Sequence, residues 1–177
     1  MKVGLVQNNS NIAMKGIKEP KIIKKSVRQL KANMADKPLC GKVDAVDRFY
    51  EKAQSKLQSN ANLTLGNVLS TALCASVYAC LKPFPDALFG ALISLGGVFG
   101  FGTSALFWLA KCVQQKAGKK YAQNIIKDYI DNNKEFMDTI NEHLKKTGNP
   151  EITAEDAKNE FNTKDIMALY LRASENN

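Results

Sequence analysis

The chain has 177 residues, of which 45% are hydrophobic, and a formal net charge of +8 at pH 7. Its four cysteines form no CxxC pair and are accompanied by a single histidine, which excludes a disulfide framework and a cysteine–histidine zinc motif. The first 20 residues contain no apolar core, so we expect no cleavable signal peptide.

The N-terminal part is polar and basic. Residues 1–19 are rich in asparagine and lack periodicity, which predicts a disordered arm. Residues 20–62 are predicted to be a basic amphipathic helical segment, since Ile23, Val27, Leu30 and Met34 recur at helical spacing. The run 37–41 should end this first helix, and the polar run 58–62 should interrupt a second one before the apolar block.

Residues 63–110 predict a transmembrane helical hairpin, with helices at 63–81 and 87–110 and a turn at 82–86. Neither helix contains a charged residue. At about 1.5 Å per residue they extend about 28 and 36 Å, and the hydrocarbon core of a bilayer is about 30 Å thick. Pro83 and Pro85 disfavour the helical conformation in the residues before them, so the chain should reverse there.

The flanking charges predict the topology. Lysines at positions 52 and 56 precede the first apolar helix, four follow the second at positions 111, 116, 119 and 120, and the turn contains only Lys82. By the positive-inside rule we expect an integral membrane protein with two spans and both termini in the cytoplasm. The alternative is a soluble bundle with a buried apolar pair, but the flanks supply little apolar surface to enclose it.

Small and polar residues are expected to hold the two apolar helices together, because lipid gives no hydrophobic drive for helix association. The predicted packing positions are Asn67, Thr71, Gly90, Ser94, Gly96, Gly97, Gly100 and Ser104. Asn67 is expected to hydrogen-bond across the hairpin, worth about 1 kcal/mol. The same residues could instead pack between protomers, giving a homo-oligomer through the glycine-rich helix.

Residues 111–177 predict a C-terminal helical region. One helix should continue from the membrane to about Lys146 and end at 148–150. Thr153 should cap a short helix, and Asn162 or Thr163 should cap another. The apolar stripe of this region needs a cover, either from the N-terminal helices, which would give a small cytoplasmic helical region, or from a partner.

The basic charge is concentrated before the hairpin, where residues 1–62 contain 13 Lys/Arg and 5 Asp/Glu, against 11 and 11 in residues 111–177. Cations near an anionic bilayer are attracted to it, and the helix around Ile23–Met34 could lie in the interface. The candidate contacts to lipid headgroups are Lys21, Lys24, Lys25, Arg28, Lys31, Lys111 and Lys116. Nucleic acid is a weaker candidate, because Phe49 and Tyr50 lie away from the densest lysines. The lysines could also simply solvate the helices and fix the topology.

Motifs for catalysis, cofactors or metals are missing from the sequence. His143 lies on a polar helix face, and the acidic run at 128–138 lacks the glycine of a calcium-binding loop. We therefore expect an all-α, non-enzymatic membrane protein without a cofactor, whose hairpin anchors cytoplasmic helices that bind lipid or an unidentified protein. A self-associating pore-forming hairpin is the second hypothesis, and a soluble bundle the third. The layout resembles that of phage holins and of the inclusion-membrane proteins of intracellular bacteria, groups too unrelated to transfer a function.

Overall fold

A computed structural model describes residues 17–175, in which all regular secondary structure is helical, and this confirms the predicted all-α class. Within these residues six α-helices follow one another: α1 (Lys24–Met34), α2 (Leu39–Leu81), α3 (Leu88–Asn132), α4 (Lys134–Lys146), α5 (Ala154–Asn159) and α6 (Thr163–Glu175). Short 3-10 helices at Lys21–Ile23 and Pro85–Ala87 precede α1 and α3. Most of the predicted disordered arm, at 1–16, lies outside the described residues.

The chain divides into two compact units. The first, called the helical unit below, comprises the described residues up to Glu51 and from Ala117 onward. The second, called the hairpin unit, is Lys52–Lys116.

The helical unit has a conventional core of large apolar side chains, contributed by residues from both ends of the chain. The rings of Phe136 and Tyr170 stack with centroids 4.6 Å apart, and Tyr129 lies 6.0 Å from Phe136. The largest fully buried side chains are Val27, Val43, Val46, Tyr121, Ile125, Ile126, Phe136, Ile140, Ile166 and Met167. The N-terminal and C-terminal flanks of the apolar block therefore cover each other's apolar side chains. Of the two covers that the sequence allowed, the N-terminal helices or a partner, the structure shows the first.

Helix caps fix the connections in the helical unit. Thr153 and Asp156 form a reciprocal capping box at the start of α5. The side chain of Asn162 accepts hydrogen bonds from the backbone N–H groups of Lys164 and Asp165, so Asn162 is the cap of α6. Gly148, with a φ of 74°, ends the α4 segment in the left-handed region that favours glycine. These predicted helix ends are confirmed.

Two predicted helix boundaries are wrong. The polar run 58–62 does not interrupt α2, which is continuous from Leu39 to Leu81. Serine and asparagine each cost only a few tenths of a kcal/mol in a helix, and the run contains neither proline nor glycine to break it. Conversely, the helix predicted to reach Lys146 ends at Asn132, because Asn133 takes an extended conformation and caps α4 by accepting from the N–H of Phe136.

Candidate membrane-facing hairpin and basic helix face

The two helices of the hairpin unit meet through small residues. A methyl group added at Gly97 would lie 2.7 Å from Sγ of Cys74, closer than a real side-chain carbon packs, so any larger residue there would require Cys74 or the helix to shift. A methyl group at Gly90 would lie 3.1 Å from Cδ1 of Leu81, and one at Gly102 would lie 3.9 Å from Cγ2 of Thr71. This contact line is called the seam below.

Burial along each helix follows the seam. In α2 within the hairpin unit, the side chains that are buried or half-buried recur every three to four residues. They are Asn60, Thr64, Asn67, Ser70, Thr71, Cys74, Tyr78 and Leu81, together with Ala53 and Leu57. In α3, Ala91, Ser94 and Ala105 are buried, and Gly90, Gly97 and Ser104 are half-buried. The predicted packing residues Asn67, Thr71, Gly90, Ser94, Gly97 and Ser104 thus lie at buried or half-buried positions.

Two of the predicted packing glycines are not in the seam. Gly96 and Gly100 are exposed, and a methyl group added at either would meet nothing within 4 Å. Their spacing still suits close approach of another helix. A packing role for them therefore requires a second copy or a partner and stays a prediction.

The polar side chains of the hairpin unit are bonded mostly within their own helices. Thr71 donates to the carbonyl of Asn67 at 2.8 Å, and Ser94 donates to that of Gly90 at 3.0 Å. Asn67 itself donates through Nδ2 to the carbonyl of Leu63 at 2.8 Å, a bond within α2, and the predicted hydrogen bond across the hairpin stays a prediction. A helical side chain can reach the carbonyl four residues earlier without any partner helix, and this satisfies its donor locally.

Large hydrophobic side chains of the hairpin unit point outward. Among the described residues, every exposed large hydrophobic except Ile22 belongs to this unit. They include Leu63, Leu65, Val68, Leu69, Leu73, Val77, Leu88, Phe89, Leu92, Ile93, Phe99, Phe101, Leu106, Phe107, Leu109 and Val113. Both α2 and α3 contain windows long and apolar enough to cross a membrane, and these windows are 0% and 6% buried. Exposed apolar side chains concentrated in one region of a protein are typical of a surface that contacts lipid or another protein.

The basic residues of α1 lie on the surface of the helical unit. Lys21, Lys24, Lys25 and Arg28 are exposed, while Ile23, Val27, Leu30 and Met34 are buried in the core. Protein already covers the apolar face of this helix, so the sequence-based idea that the helix buries that face in a membrane interface is wrong.

The remaining predicted headgroup contacts differ in their surroundings. Lys31 is half-buried and donates to Oε1 of Glu19 at 2.5 Å; this hydrogen bond lowers the pKa of Glu19 and raises the pKa of Lys31. Lys111 is half-buried with Nζ 5.3 Å from the centre of the Phe107 ring, a cation–π distance. Lys116 is exposed.

Three tyrosines in the core of the helical unit have a raised pKa. Burial raises the pKa of Tyr129 to about 12, and burial also raises the pKa of Tyr170 and of Tyr121. The hydroxyl of Tyr121 is buried and has no hydrogen-bond partner among residues 17–175. No group of three or more His, Cys, Asp or Glu residues within 17–175 is placed to hold a metal ion.

Sequence reasoning missed part of the seam. Asn60, Ala91 and Ala105 are buried in the hairpin unit but were not among the predicted packing residues. The spacing of small residues could have identified the missed positions in α3, since Ala91, Ser94 and Ala105 lie on the helical repeat that also contains Gly90 and Gly97. Comparisons with protein-family models, with curated proteins and with solved structures find no match for this chain.

Proposed function

We propose that the chain is a non-enzymatic integral membrane protein whose hairpin unit crosses a bilayer twice and anchors the helical unit at the cytoplasmic surface. The observation that carries the proposal is the reversed burial of the hairpin unit, with small and polar residues inside and large apolar residues outside. Complete transfer of one such side chain from water to an apolar medium is worth about 1.5–3 kcal/mol, so water is a poor solvent for this surface.

The backbone and side chains of the hairpin unit suit a medium without water. Thr71, Ser76, Ser94 and Thr103 each donate to a carbonyl of their own helix, which leaves these donors satisfied. A bilayer requires such internal satisfaction, because it offers no water to bond the exposed groups.

The orientation of the anchor is proposed from its flanking charges. Lysines at both outer ends of the hairpin outnumber the single lysine of the turn, which favours cytoplasmic termini and an external turn. The anchored helical unit then serves as a cytoplasmic surface for anionic lipid headgroups or for a protein partner. Nucleic acid is a less suitable partner, because Tyr50 is buried and holds Lys119 at 5.2 Å from its ring.

Membrane fractionation with alkaline carbonate, combined with protease digestion of a chain tagged at both ends, tests the anchor. We expect the chain to stay in the membrane pellet, with both tags protected in sealed vesicles that have the cytoplasmic side inward. Release into the supernatant would contradict the membrane proposal and favour a soluble assembly in which another protein covers the hairpin.

A pore-forming hairpin is the second candidate, and the outward positions of Gly96 and Gly100 favour it. Close packing of several copies through these glycines could surround an opening. The absence of charged residues at 63–81 and 87–110 weighs against a water-filled lumen. Release of a trapped dye from vesicles separates the two roles: a pore releases the dye and loses this activity in Gly100→Leu, whereas an anchor releases none.

A further inference from the structure

We infer that the exposed cations of α1 and its preceding turn bind the anionic headgroup surface of a bilayer; this inference rests on the proposed anchoring of the hairpin unit. Lys21, Lys24 and Arg28 follow one another at spacings of three and four residues, so they share one side of the helix, and Lys25 lies next to them. These four residues are called the basic face. All four are exposed.

The basic face has one nearby counter-charge in the described part of the chain, the Glu19 carboxylate, which Lys24 and Arg28 attract without forming an ion pair with it. Glu19 is the only acidic residue in 17–35, and its carboxylate is bonded to Lys31 at 2.5 Å. No ion pair within residues 17–175 involves any member of the basic face. Like charges three or four residues apart also repel each other on a helix. One carboxylate, already paired with Lys31, thus leaves the charge of these four cations largely unbalanced.

The helix dipole adds to the imbalance. α1 begins with Lys24 and Lys25 and has no acidic residue in its first turn. By contrast, α4, α5 and α6 each have acidic residues in the first turn and basic residues in the last, the arrangement that complements the dipole. An external anionic surface would relieve both the repulsion among the cations and their unfavourable position at the positive end of α1.

A bilayer suits this face better than nucleic acid does. Three of the four cations are lysines, which act as point charges and suit a diffuse layer of headgroups. α1 contains no aromatic residue on which a base could stack. The same chain also contains the proposed membrane spans, which keep the face at a high local concentration near lipid.

Lysine labelling of the full chain in lipid nanodiscs tests the inference. The chain would be incorporated into discs of phosphatidylcholine alone and into discs with equal parts of phosphatidylserine, and acetylation rates would be read by mass spectrometry. We expect Lys21, Lys24 and Lys25 to react several-fold more slowly in the phosphatidylserine discs, and this protection to disappear in about 1 M salt, where the Debye length is about 3 Å. The exposed Lys158 of α5 and Lys164 of α6, which neither variant below removes, serve as internal references.

Two triple variants that remove the same charge test whether the basic face causes the protection of the lysines. Lys21→Gln, Lys24→Gln and Arg28→Gln together should abolish the protection of Lys25, because each cation near an anionic surface contributes about a fivefold change in binding. Lys127→Gln, Lys134→Gln and Lys145→Gln together remove the same charge from exposed positions of the helical unit and should leave Lys25 protected.

The possible outcomes distinguish failure of headgroup binding from failure of the membrane anchor. Failure of the chain to enter phosphatidylcholine discs would overturn both. Stable incorporation with equal labelling in the two lipids would overturn the inference and leave the anchor intact. Protection by added RNA or duplex DNA, without protection by phosphatidylserine, would assign the face to nucleic acid and overturn the inference too.

Discussion

The helical unit and the hairpin unit are both made of α-helices, yet they bury opposite kinds of side chain. In the helical unit, Phe136 and Ile125 are fully buried. In the hairpin unit, Phe99 and Leu73 are 66% and 67% exposed, while Ala91 and Ser94 are buried. One chain thus contains two solutions to helix packing.

The difference reflects the solvent that each unit is suited to. In water, helices associate by removing large apolar side chains from solvent, and charged residues remain on the surface. In lipid that gain is absent, so helices associate through close contact of small residues and through polar groups satisfied within the helix. The following substitutions, ordered by the size of the expected effect, test whether the two units obey these different rules.

Phe136→Ala should cause the largest loss of stability. Its ring is fully buried and stacks on Tyr170, so truncation leaves a cavity and should lower the free energy of unfolding of the helical unit by about 3–5 kcal/mol. Hydrogen exchange of the full chain in detergent micelles, read from peptides within 117–175, measures the change. Phe99→Ala is the matched control and should have little effect on exchange in the hairpin unit. Comparable losses from both substitutions would show that the outer face of the hairpin is covered by protein, against the proposed contrast.

Leu73→Arg should impair membrane insertion. Leu73 is exposed and lies near the middle of the first apolar stretch, where arginine costs about 2.5–3.5 kcal/mol on insertion scales. The fraction of the chain that resists carbonate extraction measures the effect. Asn124→Arg places the same charge at an exposed position of the helical unit and should leave extraction unchanged. Unchanged resistance in the Leu73→Arg variant would contradict a lipid environment at this position.

Gly97→Leu should separate the two helices at the seam. Even a methyl group at this position would approach Sγ of Cys74 to 2.7 Å, and overpacking of this kind costs about 1–3 kcal/mol. Gly100→Leu is the control, because a methyl group there meets nothing within 4 Å.

A cross-link reports on this separation. Oγ1 of Thr64 lies 4.0 Å from Sγ of Cys112, so Thr64→Cys should form a disulfide with Cys112 on oxidation. Mass spectrometry of the disulfide-linked peptides should show a lower yield with Gly97→Leu than with Gly100→Leu. If only Gly100→Leu lowered the yield, the important packing contact would involve the exposed glycines Gly96 and Gly100, and this would favour association between copies.

The sequence predicted the helical class and the place of the chain reversal, and six of its eight packing positions are buried or half-buried, because these features depend on local signals. Prolines at 83 and 85 mark the turn, and small residues recur on one side of the second apolar helix. The helix ends at Thr153, Asn162 and Gly148 were found for the same reason, since a cap is recognised within a few residues.

Features that depend on distant partners were predicted less well. α1 looked amphipathic enough for a membrane interface, but its apolar side chains contribute to a core shared with residues beyond position 117, which spacing within one helix cannot reveal. The Asn67 side chain donates to the carbonyl of Leu63 in its own helix, a bond that the prediction of a partner across the hairpin did not consider. The end of α3 at Asn132 was missed because asparagine is tolerated in helices as well as at caps, and the fold selects the cap at Asn133.

Thr153→Ala should have the smallest effect and should be confined to the helical unit. Thr153 donates from Oγ1 to Oδ2 of Asp156 at 2.6 Å, and this hydrogen bond, with a second from the Thr153 backbone N–H, lowers the pKa of Asp156. Loss of the cap should cost about 1 kcal/mol, and the pKa of Asp156 should move up toward its ordinary value.

The pH dependence of this cap follows from the direction of the shift. A carboxyl group whose pKa is lower in the folded chain stabilises the fold above its unfolded-state pKa, and this contribution is lost as the pH falls through the folded value. An NMR titration of the Asp156 carboxyl carbon measures the pKa directly, and Thr153→Ser, which keeps the hydroxyl, should preserve it. If the alanine variant kept the low pKa, the backbone N–H alone would account for the shift. If Thr153→Ala also changed the yield of the disulfide between Thr64→Cys and Cys112, the packing of the hairpin unit would depend on the helical unit. That result would contradict the contrast between the two units.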